Sequence, residues 1–143
     1  AASDVYKRQA LGVSQLNRIA EFWDARRQIA RLYDSVLSEK PFSDIFSLPC
    51  FDEGSAWHLY VIRFRSTVVR KEAYLFMKER GVRTQVHYRP VYRNSYYGGG
   101  DGAGFPGAEA FYSSCLSLPM FPSLRKDQQI RVIDALRSFC EQL

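Results

Sequence analysis

Between Ala10 and Leu37 small or apolar residues return nearly every 3.6 positions, at Leu16, Ala20, Trp23, Ala30, Tyr33 and Leu37. That period is one turn of an α-helix, so the spacing predicts a single helix of roughly 40 Å. A compact domain of 143 residues measures only about 37 Å across. Such a helix must cross the whole domain or project beyond it. It opens on ALGVSQL with no Ser, Thr, Asp or Asn directly before Ala10 to cap its first turn. The natural start is therefore expected upstream, in a longer chain.

The preceding residues, AASDVYKRQ, resemble the translated end of a transposon-derived sequencing adaptor, and the chain lacks an initiating Met. Residues 1–9 are read as a foreign segment and set aside from the fold. The basic balance, net charge +5, does not depend on Asp4, Lys7 and Arg8. A chain that is 46% hydrophobic and 15% aromatic has material for one real core and is not a disordered tail. No apolar run approaches the roughly 20 residues that span a bilayer, and no basic-then-apolar leader opens the chain, so a cytoplasmic protein without a membrane partner is expected. Cys50, Cys115 and Cys140 are far apart and odd in number, which reads as reduced, buried and structural.

After Pro41 and a turn-rich link through Gly54 the pattern alternates. His58 to Arg65 reads as a strand with Tyr60, Ile62 and Phe64 on one face. Val69, Ala73, Phe76 and Met77 mark a helix ending at Gly81, a residue suited to a left-handed C-cap. Val82 to Tyr88 reads as a second strand, with Val82, Thr84, Val86 and Tyr88 on one face and Arg83, Gln85 and His87 on the other. Five glycines between Gly98 and Gly104 then mark a flexible surface loop. Pro106 starts a short helix to about Ser114, and Ser117-Leu118-Pro119 ends a third strand. Ser123 is placed to cap a last helix with a buried stripe of Ile130, Ile133, Leu136 and Cys140. The expected fold is α/β: a long connecting helix over 10–38, then over 39–143 a small domain with a three-stranded, mostly antiparallel sheet covered by helices.

Chemistry concentrates in GVRTQVHYRP, Gly81 to Pro90. His87 and Tyr88 at a strand end either face a ligand or are satisfied by solvent and backbone. For His58, after Trp57, a structural hydrogen bond is the first reading. No Asp, Glu or Cys stands at ligand spacing beside either histidine, so no metal is expected. The glycine run lacks the Lys-Ser or Lys-Thr ending of a phosphate-binding loop. Arg83, Arg89 and Arg93 interleaved with Tyr88, Tyr92, Tyr96 and Tyr97 suit RNA, a nucleotide sugar, or merely a solvated basic edge.

Six blocks in register narrow these options: ALGVSQL, the R-x-x-I-A-x-x-Y of Arg26 to Tyr33, SAWHLYVIR, GVRTQVHYRPVY, FPGAEAFY, and SLPMFPSL followed by DQQIRVI. Together they resemble the C-terminal part of the DegT/DnrJ/EryC1/StrS sugar aminotransferases, above all those acting on UDP-4-keto sugars in pseudaminic acid biosynthesis. The resemblance covers Ala10 to the C-terminus. It implies the small C-terminal domain of a fold type I enzyme dependent on pyridoxal 5'-phosphate, a homodimer that moves an amino group from glutamate to a nucleotide-sugar ketone. The large cofactor-binding domain, with its Schiff-base lysine, is then missing, and none of Lys7, Lys40, Lys71, Lys78 and Lys126 takes that role. By motif position His87, Tyr88, Arg89 and Pro90 are the substrate-contacting run, with Tyr92 beside them; no residue is assigned as catalytic, cofactor-binding or metal-binding. Tyr92 stands where many members have His, and Asn94-Ser95 where Gln-Pro is common, which leaves the particular sugar open. A 3-amino-sugar aminotransferase or a sugar dehydratase of the same family is the near alternative, and a basic RNA- or ligand-binding module the distant one.

Overall fold

A computed structural model describes the backbone of residues 2–143 and the side chains from Val5 onward. Ala1 lies outside it, as do the side chains of the first residues of AASDVYKRQ. The expected single helix over 10–38 is two. Helix α1 runs Ala2–Leu16 and α2 runs Ile19–Leu37, with a turn at Asn17 and Arg18 between them. The apolar stripe also divides: Ala30, Tyr33 and Leu37 are fully buried, whereas Leu16, Ala20 and Trp23 face outward. Periodicity alone reports an amphipathic face, not what covers it.

A four-residue helix α3, Phe42–Ile45, leads into a two-residue strand β1, Phe46–Ser47. Strand β2 is Tyr60–Phe64 and β3 is Cys115–Leu118. The sheet order is β1-β2-β3, antiparallel throughout, with Phe46 opposite Phe64, Ile62 opposite Leu116 and Tyr60 opposite Leu118. Alternation puts all six of these side chains on one face. They meet α2, helix α4 (Thr67–Glu79) and helix α6 (Lys126–Cys140) in a core rich in ring contacts, including Tyr33 on Tyr60 at 5.1 Å and Phe64 edge-on to Phe139. Helix α5, Pro106–Ser114, packs beside α4 and β2 and has the predicted extent.

Three further expectations change. The segment Val82 to Tyr88 is not a strand: only Gln85 pairs, donating to the Ser117 carbonyl at 3.1 Å and accepting from the Ser117 amide at 2.7 Å. Its alternation fails at the end, since Val82 and Thr84 are buried but Tyr88 is exposed. The third strand comes instead from Phe46-Ser47, too short to show a period. Ser123 does not cap α6. Arg125 holds that position, its amide accepted by the Gln128 side chain at 3.0 Å, and Ile130 faces solvent while Val132 completes the buried stripe. Cys115 and Cys140 are buried as expected, but Cys50 is exposed. Gly81 does take the left-handed conformation, at φ +73°.

Candidate functional site

Two neighbouring segments line one cleft: loop 81–88, which follows the Gly81 cap, and β3 with the turn after it, from Ser117 to Phe121; Arg26 of α2 and Gln128 and Arg131 of α6 join them. The cleft has a volume of about 660 Å³, within the range of sites that take a small organic ligand. His58, His87 and Tyr88 line it together with Arg26, Arg83 and Arg131. The two histidines, 29 positions apart in no common motif, thus border one space.

The arginines do different work. Arg26 occupies the same helical face as Ile29, Ala30 and Tyr33, and its Nη1 donates to the carbonyls of Trp57, His58 and Met120 at 3.2, 3.0 and 3.1 Å. One guanidinium nitrogen therefore ties α2 to both connections that shape the cleft mouth. Trp23 adds a bond from its indole N–H to the Ser55 carbonyl at 2.8 Å. Arg83 and Arg131 have no hydrogen-bond or carboxylate partner among the described residues, so their donors remain available to an anion at the cleft wall. His58 has an exposed ring, and its carbonyl rather than its ring makes the structural bond expected of it.

His87 is half-buried, and its Nδ1 lies 2.8 Å from the hydroxyl of Ser117. The peptide to Tyr88 is cis, and the two rings meet at 4.6 Å between centroids. Tyr88 projects outward, 69% exposed, at the edge of the cleft.

The rest of the predicted run turns away. Arg89 donates to the Arg93 carbonyl at 2.9 Å, and Pro90 starts a short 3-10 turn, Val91–Arg93. The Tyr92 ring stacks on Phe105 at 4.5 Å and its hydroxyl donates to Glu109 Oε1 at 2.9 Å. Arg93 pairs with the same carboxylate through Nε at 2.7 Å and through Nη2. That pairing holds the Glu109 carboxyl below its usual range, while burial and then the bond to Glu109 push the Tyr92 phenol up. The glycine run folds around this cluster. Gly98 is left-handed at φ +91°, the Gly99 and Gly100 amides donate to the Asn94 and Tyr92 carbonyls, and a Cβ on Gly102 would fall 2.2 Å from Glu109 Oε1. The loop read as a flexible connection thus has bonds at its start and a close packing contact at Gly102. Five predicted residues accordingly divide into His87 and Tyr88 on the cleft, Tyr92 on the Glu109 cluster, and Arg89 and Pro90 in the turn that leads to it.

Residues 8–137 match the DegT/DnrJ/EryC1/StrS aminotransferase family along nearly the whole chain. The chain belongs to that family. Among its relatives, the spore coat polysaccharide biosynthesis protein SpsC of Bacillus subtilis strain 168 is 35% identical over 136 residues, 90% of this chain and 34% of SpsC. Helicobacter pylori PseC, an aminotransferase involved in the biosynthesis of pseudoaminic acid, superposes with a TM-score of 0.82 at 27% identity, over 94% of this chain and 37% of PseC. DesV of S. venezuelae, solved in complex with a ketimine intermediate, gives 0.82 at 31% identity over 94% and 36%. The chain spans about a third of the length of these relatives.

No lysine lines the cleft; Lys40, Lys71, Lys78 and Lys126 are exposed, on helices or the turn before α3. The cleft therefore places no amine to hold pyridoxal phosphate, and no chemical step runs through that group here. No group of three or more His, Cys, Asp or Glu side chains placed to hold a metal occurs among the described residues, and no described helix is long and apolar enough to cross a membrane.

Proposed function

We propose that this chain is the small, substrate-contacting part of a pyridoxal-phosphate-dependent aminotransferase that moves an amino group from glutamate to a 4-keto-6-deoxy sugar carried on UDP, for a surface glycan. The observation that carries this reading is the cleft, where His87 and Tyr88 stand with two guanidinium groups, Arg83 and Arg131, that have no partner among the described residues. Two such cations beside ring donors suit a diphosphate bridged to a sugar. His87 and Tyr88 would meet sugar or phosphate oxygens. Arg89, Pro90 and Tyr92 would act one step back, by fixing the backbone that follows.

The relatives' extra length is where the amine that holds the cofactor belongs in this reading, and the outward apolar side chains of Leu11, Val13, Leu16, Ile19 and Trp23 suit packing against that domain or the second subunit of a cytoplasmic homodimer. The RNA-binding alternative loses its footing at Tyr92 and Arg93, which are engaged with Glu109 rather than presented to a strand.

The test uses the longer protein that carries this chain, with UDP-N-acetylglucosamine as an unreactive probe. Arg83→Ala, Arg131→Ala and His87→Ala should each weaken its binding by about tenfold or more, the loss of a charge-assisted or buried hydrogen bond. Unchanged binding in all three would sink the assignment.

A further inference from the structure

We infer that Ser117 is a positioning residue that fixes the neutral His87 ring in one tautomer, with Nδ1 as acceptor and Nε2–H as a donor toward the cleft. The inference rests on the reading of the cleft as a ligand site only for its consequence; the tautomer itself is a property of the free chain.

Ser117 is 3% exposed on β3, a strand buried along its whole length, so its side chain has almost no solvent to turn to although the residue borders the cleft. Its Oγ has one partner among the described residues, His87 Nδ1 at 2.8 Å. A serine hydroxyl carries one proton and must place it on an acceptor, whereas its lone pairs are less costly to leave unused. If His87 Nδ1–H donated to Oγ, the hydroxyl proton would be left without an acceptor in a buried site. If Oγ–H donates to Nδ1, the hydroxyl proton is placed and the ring's remaining proton sits on Nε2, toward the cleft that the ring lines. Each arrangement makes one hydrogen bond, and the second wins because it leaves no hydroxyl proton unmet in the buried site.

The backbone enforces the same geometry. Ser117 exchanges both main-chain hydrogen bonds with Gln85, two residues before His87, and the Cys115 thiol lies 3.8 Å from the His87 carbonyl. One strand residue therefore holds the segment by its main chain and the ring by its side chain, although the segment is not a strand. The consequence for the cleft is specificity. A group meeting Nε2–H must be an acceptor, such as a phosphate, hydroxyl or carbonyl oxygen, and an ammonium or amide N–H is disfavoured there.

The chain contains two histidines, and the His58 ring is exposed with no side-chain partner among the described residues, so it serves as an internal reference. The experiment is a long-range proton–nitrogen correlation spectrum of the ligand-free chain at about pH 8.5, where an ordinary imidazole is neutral. In the unsubstituted chain the His87 nitrogens should lie apart from those of His58, with Nδ1 fully in the unprotonated range and Nε2 fully in the protonated range. Ser117→Ala should move both toward the tautomer-averaged values of His58, and Ser117→Thr should restore them. A protonated Nδ1, coincidence with His58 in the unsubstituted chain, or an unmoved His87 in the alanine variant would overturn the inference. Should Ser117→Ala fail to fold, the unsubstituted spectrum and Ser117→Thr still decide it. Because no ligand is present, failure of the nucleotide-sugar reading leaves this result untouched.

Discussion

At the scale of single residues, the carboxylate of Glu109 gathers the side chains that hold the segment after Pro90. It accepts from Tyr92 and twice from Arg93, and it fills the space that a side chain at residue 102 would need. Gly102 is left-handed at φ +88°, so Gly102→Ala combines backbone strain with a clash and should cost about 1–3 kcal/mol in urea unfolding. Glu109 has a folded value below its unfolded one, so its contribution is present above the ordinary carboxylate range and is lost as pH falls through the folded value. Acid titration of stability should show that loss, and Glu109→Gln should remove it. The cysteines separate as sharply. Burial pushes the Cys140 thiol to about 11 and raises Cys115 too, while Cys50 is exposed. At pH 8 a thiol reagent should label Cys50 alone, with the other two reacting only on unfolding.

Elements were legible where they carry a full period of their own. Helix α5 and the Gly81 cap follow from local signals, Pro106 at a first turn and glycine at a left-handed end. Strand β2 shows its alternation because only one face is core. Val82 to Tyr88 shows the same alternation and still is not a strand, since its partner β3 offers one residue, Ser117, for pairing. Two-residue β1 could not be seen at all; it exists because Phe46 fills the core opposite Phe64. The cleft was half legible. His87 and Tyr88 were read from their motif, but Arg131 and Gln128 arrive from a helix whose exposed positions carry no pattern, and Ser117 looked like ordinary strand polarity. Arg26 did leave a signal, a charge on the face that otherwise buries Ile29, Ala30 and Tyr33. Packing within the sheet makes its own prediction: Leu116→Ala removes a fully buried side chain from β3 and should cost about 2–5 kcal/mol by denaturant titration.

Across the whole molecule, the core gathers below the sheet's one apolar face and leaves the N-terminal third of the helical pattern outside it. Substitutions there should behave unlike those in the core: Leu11→Glu with Leu16→Glu should shift unfolding free energy by no more than about 0.5 kcal/mol, yet lower the binding of a hydrophobic dye. The turn at Asn17 and Arg18 gives this a physical clock. A 15-residue helix whose described side chains all face solvent has little beyond its own propensity to hold it, and helices of that length are marginal in water. Its amides should exchange with deuterated solvent through local fraying, on the timescale of helix–coil opening, while those of β2, β3 and the buried end of α2 exchange only when the body opens as a unit. One chain would then report two separate protection levels, with the boundary between them at the first turns of α2.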